Sequence, residues 1–286
     1  MKRLIVTGDD FGLAVPVNEA IEDAHRHGIL TAASLMVAAP AAADAVERAR
    51  RLPSLRVGLH VVLVEGQPVR PPESIRHLVD ARGEFSPRLV RAGFRFFFHP
   101  RARRELAEEI RAQFEAFRAT GLVLDHVNAH NHMHLHPTVM GLLLNIGREF
   151  GAPGVRVPRE PPLVTWGAAR DGLAQRLLES VFLAPWVALL RRRATRAGLG
   201  SNDFALGVHD SGNMHAELVA RLLGRLPEGI TEMYFHPATR RCPELDRHMA
   251  GYHHEAELEA LKSRSVREAL EASGASRIAY GDLVSP

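Results

Sequence analysis

At 286 residues, 46% of them hydrophobic, the chain carries enough apolar material for a full α/β core. Its 36 basic and 33 acidic residues nearly balance, for a formal charge of +3, so the total charge gives no reason to expect nucleic acid as a partner. One cysteine, Cys242, excludes an intrachain disulfide and a cysteine-based zinc site, and fits a reducing compartment.

The opening MKRLIVTGDDFG reaches acidic residues after an apolar stretch too short for a signal peptide, so a cytosolic location is expected. Residues 3–7 are short, apolar and β-branched, the mark of a buried parallel strand, and Gly8-Asp9-Asp10-Phe11-Gly12 ends them in turn chemistry. A helix with Val17, Ile21 and Ala24 on one face follows and stops at Gly28. Residues 32–37 read as a second strand, 41–51 as a second helix, and 56–64 as a third strand containing His60. This β-then-α rhythm argues for parallel βαβ units. Residues 66–82 are proline-rich and irregular, a long loop on the face where α/β proteins put their sites. The spacing of Leu106, Ile110, Phe114 and Phe117 predicts an amphipathic helix over 101–120, after which 122–128 lead into DHVNAHNHMHLHP.

That stretch holds His130, His132, His134 and His136 at every second position, with Asn128 in phase ahead of them. On an extended backbone these side chains would share one face, which makes little sense as an apolar core and good sense as a metal or proton-transfer site. A helix over 138–151 and a short strand over 155–157 follow. Residues 160–199 break the rhythm as an apolar, arginine-rich insertion. Its apolar run, 181–190, is half the length of a membrane span and is divided by Pro185, so it is not expected to cross a bilayer. Trp and Leu beside arginines suit either a helix lying at a membrane surface or a helical hairpin packed on the body. Strands over 203–208 and 231–236, helices over 216–223 and 255–273, and a last strand over 278–280 complete one domain, residues 1–286, with no linker. Repeated strand-helix units without a Gly-rich phosphate loop favour a barrel-like closure over an open dinucleotide sheet.

A parallel barrel would gather Asp9-Asp10, His60, the histidine stretch and His236 at one end. One carboxylate with two imidazoles is a normal three-ligand catalytic set, and a second carboxylate beside it supplies a base. Taken alone, Asp9-Asp10 suits a turn or helix cap, and His236 a structural histidine. No GxSxG elbow, Walker loop or GxGxxG is present, and His254-Glu255 lacks the second histidine of a zincin helix.

The segments LIVTGDDFG, VGLHVVL, HVNAHNHMHLHP and EMYFHPA, in this order and spacing, resemble the YdjC-like, or chitooligosaccharide-deacetylase, family of metal-dependent carbohydrate deacetylases. The chain departs from the usual pattern at Gly8, where Ala is common, at Asn128, where Asp is common, and at Ala238, where Gly is usual. RLIVTGDDFGL, VRVPREPP, YFHPATR and the insertion look most like the branch associated with hopanoid biosynthesis. The resemblance implies a distorted TIM-like (β/α) barrel that removes an acetyl group from an N-acetylglucosaminyl lipid. It assigns Asp10, His60 and His130 to one divalent metal, Asp9 to the base and His236 to the acid, with Asn128, His132, His134 and Arg156 on the substrate side and His136 as structural. Nitrogen-rich ligation favours Zn2+, with Mg2+ the alternative. Rival readings are a deacetylase of soluble chitooligosaccharides, a metal-dependent phosphoesterase, and a glycolipid-binding module without turnover. Residues 173–196 are expected to form helices that cover the site or touch the inner face of the cytoplasmic membrane.

Overall fold

The computed structural model describes residues 1–283. Strand β1 (Lys2–Phe11) leads into helix α1 (Val15–His27), β2 (Ala32–Leu35), α2 (Ala42–Arg50) and β3 (Arg56–Val61). After the proline-rich loop come α3 (Leu89–Phe98), α4 (Pro100–Ala119), β4 (Leu124–Ala129), α5 (Pro137–Glu149) and β5 (Gly154–Val155). The insertion forms α6 (Pro162–Ala169) and α7 (Leu173–Arg196), followed by β6 (Gly200–Ser201), β7 (Phe204–Leu206), α8 (Ala216–Leu223) and β8 (Gly229–Phe235). The chain then runs through α9 (Pro243–His248), α10 (His254–Lys262), α11 (Arg264–Ser273) and β9 (Ser276–Arg277).

The strands pair in the order β6-β5-β4-β3-β2-β1-β8-β7, with β9 added to β1, and every pair is parallel. The sheet curls into a half-barrel flanked by helices, a distorted TIM-like barrel whose edges β6 and β7 do not pair. Successive strand residues face opposite ways. Leu4 and Val6, Ala33 and Leu35, Val57 and Leu59, Val127 and Ala129, and Met233 and Phe235 face out, into the main apolar core with the helices. Burying each larger aliphatic side chain there contributes roughly 1.5–3 kcal/mol. The alternate residues face in, and apart from Gly58 they are polar above the base, where Ile5, Ala32 and Tyr280 form a separate apolar plug. The inner positions above that plug are the site.

Three expected elements differ, and one helix was not expected. The helix expected over 255–273 is two helices, because Ser263 is extended (φ −64°, ψ 146°) and its hydroxyl caps α11 at the Val266 N–H. The strand expected over 278–280 lies earlier, at β9, and Tyr280 starts a 3-10 turn. Helix α3 has no counterpart among the expected elements. Pro185 does not divide its helix either: α7 runs unbroken for 24 residues. Pro185 lies on the exposed side, where the Val181 carbonyl that loses its helical donor can meet water. By length and composition alone α7 is long enough to cross a bilayer. Here it lies against the body through Val187, Leu190 and Ala194, and Arg176 is buried and pairs with both oxygens of Asp210 at 2.8 and 2.9 Å.

Candidate active site

The site begins with an irregularity in β1. Its register against β2 shifts between Gly8 and Phe11, and Asp10 sits in the left-handed region at φ 59°. A regular strand would send Asp9 and Asp10 to opposite faces. The bulge turns both toward the barrel interior, at a backbone cost of about 1–2 kcal/mol. Such strain collects at functional sites.

Strand β3 supplies His60, and His130 follows directly on the end of β4. Asp10 Oδ1, His60 Nε2 and His130 Nδ1 form a triangle with edges of 3.1 Å (His130 to Asp10), 3.3 Å (His60 to Asp10) and 3.3 Å (His60 to His130). Ligands about 2.0–2.2 Å from a tetrahedral ion stand roughly 3.4 Å apart, so these three donors fit one face of a metal's coordination shell. Asp10 Oδ2 is buried without a hydrogen-bond partner, a further sign of a cation-binding carboxylate. Burial works against ionising Asp10, but His130 and His60 outweigh it and hold the carboxyl well below its usual range.

Beneath His60 lies Asn128, its amide 2.7 Å from Nδ1. With the amide oxygen toward His60, Nδ1–H donates to it and Nε2 keeps a free lone pair, the state a metal ligand needs. Turned over, the amide nitrogen donates to Nδ1, while its oxygen accepts from Ser34 at 2.9 Å and from Arg156 at 3.1 and 3.2 Å. The amide orientation and the His60 tautomer are therefore linked. Asn128 is fully buried and outside the cavity wall, which moves it from the expected substrate side to support of His60.

Arg156 is likewise fully buried, and its donors are committed. It binds Asp9 at 2.5 and 2.9 Å and Glu232 at 2.7 and 2.8 Å, and it lines no part of the cavity described below. Glu232 also accepts from Thr7 at 2.7 Å and from Tyr280 at 2.7 Å. Burial would raise the Asp9 carboxyl, but the Arg156 charge, with His60 behind it, holds it ionised well below the ordinary range.

The histidine stretch does not continue the strand. The alternating inner face of β4 is His126 and Asn128, and His130 opens the 3-10 turn that follows, in which Asn131 and His132 take left-handed angles (φ 51° each). Four imidazoles in one row, as the spacing suggested, do not form. His132 lines the cavity with Nε2 3.1 Å from the Tyr234 hydroxyl, and burial, then Arg156, pushes it down to about 3. His134 turns inward behind His132, is fully buried and lines no part of the cavity. His136 precedes α5 with its ring against Phe96 and Phe97.

The cavity holds about 210 Å³, and Asp9, His60, His130 and His236 all line it. His236 stands at the end of β8, its N–H donating to Glu257 at 2.6 Å and its carbonyl accepting from His254 at 2.6 Å. Burial pulls its imidazole below the ordinary value, and Asp10 and Asp9 offset only part of that. Sequence reasoning missed Glu232 and Tyr234, although period two on β8 puts both on the face of His236. It also missed Glu65, His248 and Tyr252, which come from loops or short helices with no periodic signal. Glu65 and His248 also wall a second hollow of about 280 Å³, and Val208 leads to a third, of about 380 Å³, under α7.

Among known proteins, a carbohydrate deacetylase of Brevibacillus brevis is 38% identical over 159 residues, covering 54% of this chain and 59% of that one. A carbohydrate deacetylase of Vibrio vulnificus is 37% identical over 153 residues, covering 53% and 57%. The chain thus spans a little over half the length of these two relatives. A third carbohydrate deacetylase, from Thermoanaerobacter pseudethanolicus, is 28% identical over 239 residues, covering 83% and 82%. A crystal structure from Enterococcus faecalis V583, of a protein named for cellobiose-phosphate cleavage, superposes over 99% of both chains with a TM-score of 0.77 at 25% identity. The family described as YdjC-like protein matches residues 3–272, and the chain belongs to that family.

Proposed function

We propose that this protein hydrolyses the linear amide of an N-acetylglucosaminyl sugar, releasing acetate and leaving a free amine, with a hopanoid-type glycolipid intermediate as its substrate. The observation that carries this reading is the 3.1–3.3 Å triangle of Asp10, His60 and His130 beside a second, ionised carboxylate, Asp9. Three relatives named as carbohydrate deacetylases support the substrate class.

Asp10, His60 and His130 would hold one divalent ion, and two nitrogens with one oxygen suit Zn2+ better than Mg2+. Such an ion supplies Lewis acidity, making water a nucleophile near neutral pH and polarising a carbonyl. Asp9, fixed through both oxygens by Arg156, accepts the proton of the attacking water. Across the cavity, His236 donates a proton to the nitrogen as the carbon–nitrogen bond breaks, so the amine departs neutral. Tyr234 and His132 wall the sugar side with polar tips. The hollow under α7, lined by Leu183, Ala184 and Val187, gives an apolar aglycone room beside the site, and α7 offers it a membrane-facing helix. On this reading the protein works in the cytoplasm, peripheral to the inner membrane face.

The hollow across Glu65 and His248 supports a second reading, a soluble chitooligosaccharide whose next sugar sits there. Mass spectrometry of products from paired lipid-linked and soluble N-acetylglucosaminyl substrates separates them. Loss of one acetyl group, about 42 Da, mainly from the lipid-linked substrate supports the first reading. Loss mainly from the soluble one supports the second, and phosphate release or binding without product overturns both.

A further inference from the structure

Helix α3 buries only Ala92 and Phe96 and leaves Val90 74%, Phe94 63%, Phe97 48% and Phe98 70% exposed. The three exposed phenylalanines pack on each other, Phe94 to Phe98 at 6.1 Å and Phe97 to Phe98 at 4.9 Å between ring centroids, and form an aromatic ridge in water. Residues 86–104 contain no Asp or Glu, and Arg88, Arg91, Arg101, Arg103 and Arg104 are exposed with no ion pair among the described residues. Beyond the ridge an open groove of about 540 Å³, lined by Phe97, Arg103, Arg104 and Arg193, joins α3 to the C-terminal end of α7, and no acidic residue lines it. On α7 itself, Leu178, Val181 and Phe182 are each 71% exposed. Apolar side chains of α3 and α7, set among arginines of α3, α4 and α7 around one basic groove, match a layer of anionic headgroups over hydrocarbon.

We propose that α3, outside the insertion, docks together with the basic groove and the outer face of α7 on a bilayer carrying anionic lipid. The phenylalanines enter the acyl boundary and the arginines meet lipid phosphates. A second copy of the chain fits less well, because the patch would set arginines against arginines with no acid to pair them. Leu89, at the start of α3, lines the catalytic cavity, so docking sets the cavity mouth beside the membrane surface. The inference rests on surface chemistry and stands whether or not the cavity is a deacetylase.

The test is flotation of the full chain with vesicles of phosphatidylcholine alone and of phosphatidylcholine mixed with phosphatidylglycerol, at low and high salt. The proposal expects binding to the anionic vesicles about a hundredfold or more above the neutral ones, and its loss at high salt. A triple variant, Phe94→Ser with Phe97→Ser and Phe98→Ser, should lose about tenfold in binding, and Arg101→Gln with Arg103→Gln and Arg104→Gln about a hundredfold. Circular dichroism on both variants checks that they are folded; because the two sets alter different chemistry, one folded set suffices. Equal binding to both lipids, wild-type binding by a folded variant, retention on single-stranded RNA without vesicle binding, or a dimer in solution that the phenylalanine variant dissolves would overturn it.

Discussion

Replacing Arg156 by Met should be among the most damaging single changes in this chain, and the structure sets its scale. The guanidinium is fully buried and makes four short, charge-assisted hydrogen bonds, two to Asp9 and two to Glu232. Methionine fills much of the same space but leaves two carboxylates buried without a counter-charge. Breaking a buried pair in this way costs about 3–5 kcal/mol. At about 2–4 °C per kcal/mol for a chain approaching this size, the melting temperature should fall by roughly 6–20 °C. Adding Glu232→Gln to the Arg156→Met protein removes one stranded charge, so the double variant should recover at least about 1 kcal/mol relative to the sum of the single changes. Thermal and urea unfolding of the four proteins, followed by circular dichroism, reads both quantities. A melting temperature within about 2 °C of wild type for Arg156→Met, or strictly additive effects, would refute the reasoning, because either result means that the network carries no net interaction.

Three further perturbations probe the same interior. A Cβ at Gly58 would lie 2.5 Å from three atoms of the His126 ring, which Tyr280 backs at 5.0 Å, so Gly58→Ala should destabilise by about 1–3 kcal/mol in urea unfolding; a neutral effect would mean that the ring is free to move. Burial pushes Glu160 up to about 7, so the folded state favours its protonated form, and the stability this gives is full below about 4.5 and lost as pH rises through 7. Glu160→Gln removes that dependence, so its stability relative to wild type should improve by about 3 kcal/mol between pH 4.5 and pH 8; an unchanged difference would contradict the assignment. Asn128→Asp puts an acceptor under His60 Nδ1 that cannot turn over, so it should tighten zinc binding by about tenfold or more in a competition titration with a fluorescent chelator. Weaker binding would show that the added charge is taken up by Arg156 instead.

Much of the barrel was legible because its strands alternate. On β1, β2, β4 and β8, apolar residues facing the helices are interleaved with Thr7 and Asp9, Ser34, His126 and Asn128, and Glu232, Tyr234 and His236, and strand period alone assigns their faces. The positions of Asp9, Asp10, His60, His130 and His236 followed from strand ends in a parallel barrel. The histidine row was misread because composition does not report where a strand stops: two residues with left-handed angles, neither of them glycine, end β4 at Ala129. The burial of Arg156 and Asn128 was not legible, because sequence shows a charge or an amide but not its depth. Here Glu232 supplies the second carboxylate that keeps Arg156 inside. Helix α3 went unread although its apolar residues recur at helical spacing, and most of them stay exposed.

The central claim is that Asp10, His60 and His130 hold an ion on which amide hydrolysis depends. The most direct measurement is acetate release from an N-acetylglucosaminyl substrate by chelator-treated protein titrated with Zn2+, with bound metal counted in the same samples. The account predicts no release before addition, activity rising in proportion to bound metal and levelling at one ion per chain, and neither binding nor release in His60→Ala or Asp10→Asn. Full activity in the metal-free protein, or full metal occupancy and turnover in either variant, would contradict it.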